Sequence, residues 1–216
     1  MTKNPIGIVI LISGRGSNMQ AIVEATQQNK IPATVRAVIS NDPNAAGLDY
    51  ANSNGIKTYA LDHRQFDSRE TFDLELIKLI DQCQPELVAL AGFMRILGKE
   101  FVDHYAGRLI NIHPALLPAF PGLDTHARAI AAGAARHGAT VHFVTHDVDV
   151  GPIIIQAGVD VAGDDTPDLL AARVLEQEHR IYPKAVGWFA EKRLSIVDGK
   201  VLLDGERAEE QGLEND

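Results

Sequence analysis

The sequence predicts an α/β fold, a doubly wound and mostly parallel sheet with a C-terminal lobe. Three observations predict it. Short Ile- and Val-rich runs alternate with segments of helical period through residue 112, the pattern of parallel strands joined by helical crossovers. A loop with two glycines, Ser13-Gly14-Arg15-Gly16-Ser17-Asn18, follows the first run directly. After residue 113 the pattern changes to a proline-rich loop, two strands around a polar connection, and one long helix.

The elements follow in order. Residues 6–12 read as a buried strand, being short, β-branched and closed by a glycine loop. Residues 18–28 read as a helix and 34–40 as a second strand, which ends in the turn Asn41-Asp42-Pro43-Asn44. A short helix over 45–53 and a short strand over 57–60 come next. The clearest helix spans 68–82: Ser68 can cap it, and Phe72, Leu76, Leu79 and Ile80 recur at helical spacing. Strands over 87–91 and 109–112 flank a helix near 99–105. Pro114, Pro118, Pro121 and Gly122 then make a stiff loop. A helix over 125–135, strands over 139–145 and 152–159, and a long helix over 167–190 kinked at Pro183 complete the lobe. The segment 194–203 reads as a hairpin turning at Asp198-Gly199. Residues 1–204 read as one catalytic domain and 205–216 as an acidic, frayed tail.

Composition excludes several classes of function. Of 216 residues 45% are hydrophobic, enough for a full core. The 20 basic and 29 acidic residues give a net charge of −9, which argues against general binding to nucleic acid or to anionic membranes. Cys83 is the only cysteine; it allows no internal disulfide and reads as a packing residue. The first apolar run is too short for a membrane span and has no cleavage site after it, so the expectation is a cytoplasmic protein.

Two places carry candidate chemistry. The loop from Ser13 to Asn18 offers glycine backbone, side-chain donors and a helix start, which suit a phosphate. It is a poor dinucleotide fingerprint, because Met19 stands where a third glycine is expected. A plain strand-to-helix turn is the competing reading. The second place is Asn111-Ile112-His113-Pro114, at a strand end. Alternation points Asn111 and His113 to one side, where both can donate to an oxygen that gains charge in acyl transfer. Asp147 and Asp149 lie in the polar connection 145–152 and could support an imidazole, although solvated loop acids are the commoner case. His113, His126, His142 and Asp149 match no metal-ligand spacing, so no metal is expected.

Longer stretches resemble the phosphoribosylglycinamide formyltransferase family. They are Leu11 to Asn18, Ala91-Gly92-Phe93-Met94-Arg95-Ile96-Leu97, Asn111 to Pro118, His137 to Val144, Asp149-Val150-Gly151-Pro152 and Gln177 to Pro183. They cover most of the chain in the family's order. The resemblance implies formyl transfer from 10-formyltetrahydrofolate to the amine of N1-(5-phospho-D-ribosyl)glycinamide in purine synthesis, by direct attack through a tetrahedral intermediate. It implies that Gly16, Ser17 and Asn18 hold the substrate phosphate and that Glu178 contacts the glycinamide–ribose part. Arg69, Met94, Arg95, Ile96 and Leu97 would line the folate pocket, with Asn111, His142, Thr145 and Asp147; Asn111, His113 and Asp149 would be the catalytic trio. The N-terminal half would be the phosphate side and the C-terminal half the folate side, in a monomer or homodimer with small-molecule partners only. The chain departs from the family at Asp124, where members carry histidine, and at Val150, where some carry glycine. An aspartate at 124 could bias a nearby imidazole toward its cation. Methionyl-tRNA formyltransferase and formyltetrahydrofolate deformylase share this kind of domain but carry additional ones. A nucleotide-binding module built on the first loop is the rival of another class.

Overall fold

A computed structural model describes residues 4–207, and the chain divides into two compact units, one ending at Asn111 and one beginning at Ile112. The first unit runs β1 (Ile6–Ile12), α1 (Ser17–Gln27), β2 (Ala33–Ser40), α2 (Ala46–Ser53), β3 (Thr58–Ala60), a 3₁₀ turn (His63–Gln65), α3 (Arg69–Gln82), β4 (Leu87–Leu90) and α4 (Lys99–His104). Strand β5 (Leu109–His113) straddles the division. The strands stand in the order β3-β2-β1-β4-β5, all parallel. At the centre Ile10 pairs with Val38 on one side and Ala89 on the other. Every residue from Ile8 to Ile12 is fully buried, which explains a continuous apolar run rather than an alternating one.

This order places a useful feature at β1 and β4. From β1 the chain winds outward through β2 and β3, then returns to β4 on the opposite side of β1. The winding direction therefore reverses between β1 and β4. Loops leaving the carboxyl ends of two such strands are where open α/β sheets take ligands. Here those loops are Ser13–Gly16 and the segment 91–98.

The sequence-predicted cap of α3 is present and reciprocal. Ser68 Oγ accepts from the Thr71 N–H at 3.2 Å, and Thr71 Oγ1 accepts from the Ser68 N–H at 3.3 Å.

The second unit holds α5 (Thr125–Ala131), β6 (Arg136–Phe143), β7 (Ile153–Asp160), α6 (Pro167–Ala190), β8 (Leu194–Val197), β9 (Lys200–Leu203) and β10 (Glu206–Arg207). Strands β6 and β7 are antiparallel, and α6 packs on both, burying Leu170, Val174, Ile181 and Tyr182. Thr166 Oγ1 caps α6 at the Leu169 N–H, and Pro167 opens the helix, where its missing N–H costs nothing. Pro183 lies inside the helix as expected. The β8–β9 turn has Asp198 at φ 49° and Gly199 at φ 74°, the two positive φ values of a tight hairpin turn.

Three boundaries differ from expectation. Helix α5 stops at Ala131 instead of reaching 135, because Gly133 enters the left-handed region at φ 63°. Strand β6 begins at Arg136 and ends at Phe143, not over 139–145. Gly138 invites a loop reading, yet it stands inside the strand because a Cβ there would overlap the Ala157 carbonyl oxygen of β7. Glu206 and Arg207 pair with β9, so that part of the expected tail is ordered; residues 208–216 lie outside the described residues. No described helix is long and apolar enough to cross a membrane.

Candidate active site

His113 is 5% exposed and sits at the last position of β5. Its Nε2 lies 2.9 Å from the Phe120 carbonyl oxygen. That oxygen can only accept, so Nε2 carries a hydrogen and donates it. Its Nδ1 faces Asp149 Oδ2 at 3.3 Å.

A network behind the proline loop pins its backbone ahead of Phe120. Thr140 and Gln156 are cross-strand partners on β6 and β7. Thr140 Oγ1 donates to the Ala115 carbonyl at 2.6 Å and accepts from the Leu117 N–H at 3.1 Å. Gln156 Nε2 lies 2.8 Å from both Thr140 Oγ1 and the Leu117 carbonyl. Loop backbone is thus pinned at residues 115 and 117, and prolines restrict what remains.

Asp149 adopts φ 57°, a left-handed conformation that asparagine and aspartate tolerate better than most residues. Its side chain is only 9% exposed. Oδ2 also accepts from the Gly122 N–H at 2.9 Å, and Oδ1 lies 3.7 Å from His142 Nε2. The His142 Nδ1–H donates to the Phe143 carbonyl at 2.9 Å, which turns Nε2 toward Asp149. Burial lowers the His142 pKa, against the Phe143 hydrogen bond and the Asp149 charge. Asp149 therefore lies between two imidazoles, within reach of His113 Nδ1 and farther from His142, whose charged form burial disfavours.

The connection carrying Asp149 closes at Gly151, where a Cβ would overlap the Phe143 carbonyl oxygen. Gly151→Ala is expected to cost about 1–3 kcal/mol and to lower turnover by shifting Asp149. Denaturant unfolding beside steady-state kinetics checks this; an unchanged midpoint would refute the crowding.

The other expected residues lie as follows. Gly16 is the left-handed residue before α1, at φ 72°, where a side chain would be strained. Ser17 is half-buried, Asn18 buried and Arg15 exposed. The loop runs directly into the N-terminus of α1, where the Gln20 N–H donates to the Gly16 carbonyl at 2.9 Å. Arg69 opens α3 and is exposed. Met94 and Ile96 are 71% and 55% exposed, Leu97 is half-buried, and the Arg95 guanidinium lies 4.8 Å from the Phe72 ring centre. Asn111 is half-buried opposite Leu90. Thr145 and Asp147 are exposed, whereas His142 is buried in β6. Glu178 is a buried carboxylate of α6. Asp124 is exposed before α5 and its side chain caps no amide, and the structure gives no account of a bias on an imidazole there. Among the described residues no His, Cys, Asp or Glu group has metal-binding geometry.

Sequence reasoning missed the Phe120 carbonyl and the Gly122 N–H, which are backbone groups without a residue signature. It did not foresee that the rings of His126 and His137 meet edge to face at 5.2 Å.

Comparison with known proteins matches residues 6–186 to the formyl transferase family. The phosphoribosylglycinamide formyltransferase of Escherichia coli (strain K12) is 53% identical over 211 residues, covering 98% of this chain and 100% of that protein. The solved phosphoribosylglycinamide formyltransferase of Coxiella burnetii has a TM-score of 0.90 at 50% identity, covering 94% of this chain and 95% of that one. A formyltetrahydrofolate deformylase from Pseudomonas syringae has a TM-score of 0.87 at 25% identity, covering 94% of this chain and 67% of that one.

Proposed function

The chain belongs to the formyl transferase family, and we propose that it moves the formyl group of 10-formyltetrahydrofolate to the primary amine of N1-(5-phospho-D-ribosyl)glycinamide. The observation that carries this reading is the ring of His113 held between the Asp149 carboxylate and the Phe120 carbonyl. In the transfer the amine nitrogen bonds to the formyl carbon and the bond from that carbon to the folate nitrogen breaks. The formyl oxygen gains charge on the way, and one proton passes from the amine to the departing nitrogen.

These residues supply what that sequence needs. Asn111 and His113 donate to the charged oxygen. The His113 N–H on Nε2 rests against a neutral carbonyl, a weaker acceptor than an oxyanion. It is the donor a developing oxyanion would capture, while Asp149 keeps Nδ1 and the ring orientation. Asp149, directly or through water, also carries the proton between the two nitrogens. Gly16, Ser17 and Asn18 take the phosphate. Glu178 contacts the glycinamide–ribose part. The exposed apolar side chains Met94 and Ile96 suit a flat, partly apolar folate; Arg69, Arg95, Leu97, His142, Thr145 and Asp147 complete that pocket. The protein works without a metal in the cytoplasm, as a monomer or homodimer, on small molecules alone.

The test is release of deformylated folate followed by absorbance, with and without glycinamide ribonucleotide and with and without chelator. Release that requires the amine and ignores chelator is expected. Release without the amine would replace transfer by hydrolysis, the activity in the name of the Pseudomonas relative. No release from folded protein would reopen the nucleotide-binding reading of the first loop.

A further inference from the structure

The two loops at the reversal point between β1 and β4 are stitched together by one side chain. The Ser13 N–H donates to the Gly92 carbonyl at 3.1 Å, and Ser13 Oγ accepts from the Met94 N–H at 2.7 Å. The Ser13 hydroxyl hydrogen goes to Asn41 Oδ1 at 2.5 Å. Asn41 is itself buried, and its carbonyl accepts from His63 Nδ1 at 2.9 Å. A serine on the first loop thus fixes the start of the second, with a supporting residue from the end of β2.

The far end of the second loop has an anchor of its own. Asp73, 4% exposed on α3, accepts the Gly98 N–H on Oδ2 at 2.6 Å. Its Oδ1 is buried without a hydrogen bond among the described residues. Burial raises the Asp73 carboxyl above its ordinary range, while the Gly98 N–H and the Arg95 and Arg69 charges pull the other way and Glu70 adds to the rise. A buried carboxylate with an unpaired oxygen costs stability, so an apolar residue beside Phe72 and Leu76 would serve the core better. Asp73 is accounted for if what it holds matters. Between the two anchors lie Met94 and Ile96, large apolar side chains kept in solvent.

We infer that Ser13 and Asp73 are positioning residues that hold the segment 92–98 in its folate-receiving shape by fixing its two ends. The inference rests on the reading that Met94 to Leu97 line the folate pocket. It makes folate affinity depend on two residues that need not touch folate, and it gives Ser13 a task separate from the phosphate grip of Gly16, Ser17 and Asn18.

The experiment measures KM for 10-formyltetrahydrofolate, KM for glycinamide ribonucleotide and kcat in wild type, Ser13→Ala, Ser13→Thr, Asp73→Ala and Asp73→Asn. Ser13→Ala and Asp73→Ala are each expected to raise the folate KM about 10-fold, with kcat and the other KM within about twofold. Ser13→Thr keeps the hydroxyl and Asp73→Asn keeps an acceptor, so both should recover most of the loss. If Asp73→Ala does not fold, Gly98→Ala replaces it with the same expectation, since its Cβ would press on Asp73 Oδ2 at 2.9 Å. An unchanged folate KM in both alanine variants, or a fall in kcat with both KM values disturbed alike, overturns the positioning role. A wild-type protein that binds and turns over no formyl folate sinks the formyl-transfer reading instead, and this inference with it.

Discussion

His113→Ala is expected to lower kcat by about 10²- to 10⁴-fold, the span typical of a positioned acid–base or oxyanion group, while KM for either substrate changes far less. The imidazole is buried at the end of a strand, bonded at Nε2 to the Phe120 carbonyl and faced at Nδ1 by Asp149. Removing it leaves Asp149 with the Gly122 N–H and a distant His142 nitrogen. A residue that only packed would affect stability and both KM values without singling out turnover. The measurement is steady-state kinetics over both substrates, with unfolding midpoints for each protein. Unchanged kcat in a folded variant would remove His113 from the mechanism and leave Asn111 as the candidate donor. Asp149→Asn separates orientation from charge, because the amide can still accept from Gly122. Loss comparable to His113→Ala would assign the role to the carboxylate charge.

How much of this was legible in the sequence depends on the kind of group involved. The parallel order could be argued because the β1 run is buried on all sides and shows no alternation. Helix α3 could be placed because Ser68 and the apolar spacing agree. Asn111 and His113 stood out because a polar pair closing an apolar strand has no packing reason to be there. Asp149 could be paired with His113 only by resemblance: they are far apart in sequence, and what joins them is the return of β7 along β6. The extension of β6 back past Gly138 was not legible, because a glycine signals both a turn and a close backbone approach, and only the partner strand decides between them. Ser13 read as part of a phosphate loop, but its hydroxyl is spent on Asn41 and Met94. Asp73 looked like one more polar residue on a helix, and nothing in its neighbours announced that α4 would begin above it.

The second large effect concerns acid. Stability is expected to fall as pH drops from about 6.5 toward 4, and His137→Gln is expected to remove about 2–3 kcal/mol of that fall. His137 is 1% exposed and neither ring nitrogen has a hydrogen-bond partner among the described residues; burial, then repulsion from His126 and His113, pushes its imidazole down to about 4, with the Pro114 backbone acting the other way. The unfolded chain takes up the proton near 6.5, the ordinary value. Between the two values it binds more protons than the folded chain, so stability rises with pH there, is complete above 6.5 and is lost toward 4. Burial lowers His126 and His142 in the same sense. Asp73 acts in the opposite sense, since its raised carboxyl favours the folded state as pH falls through its range. Urea unfolding of wild type and His137→Gln at pH 4.5 and 7.5 decides the matter: the difference between the two pH values should shrink in the variant, whatever its absolute stability. An equal difference in both proteins would place the acid sensitivity elsewhere. The same burial bears on the reaction. Burial disfavours charge on His126, His137 and His142, so the charged group facing the His113 ring at 3.3 Å is the Asp149 carboxylate, and in the proposed transfer proton handling would rest on it.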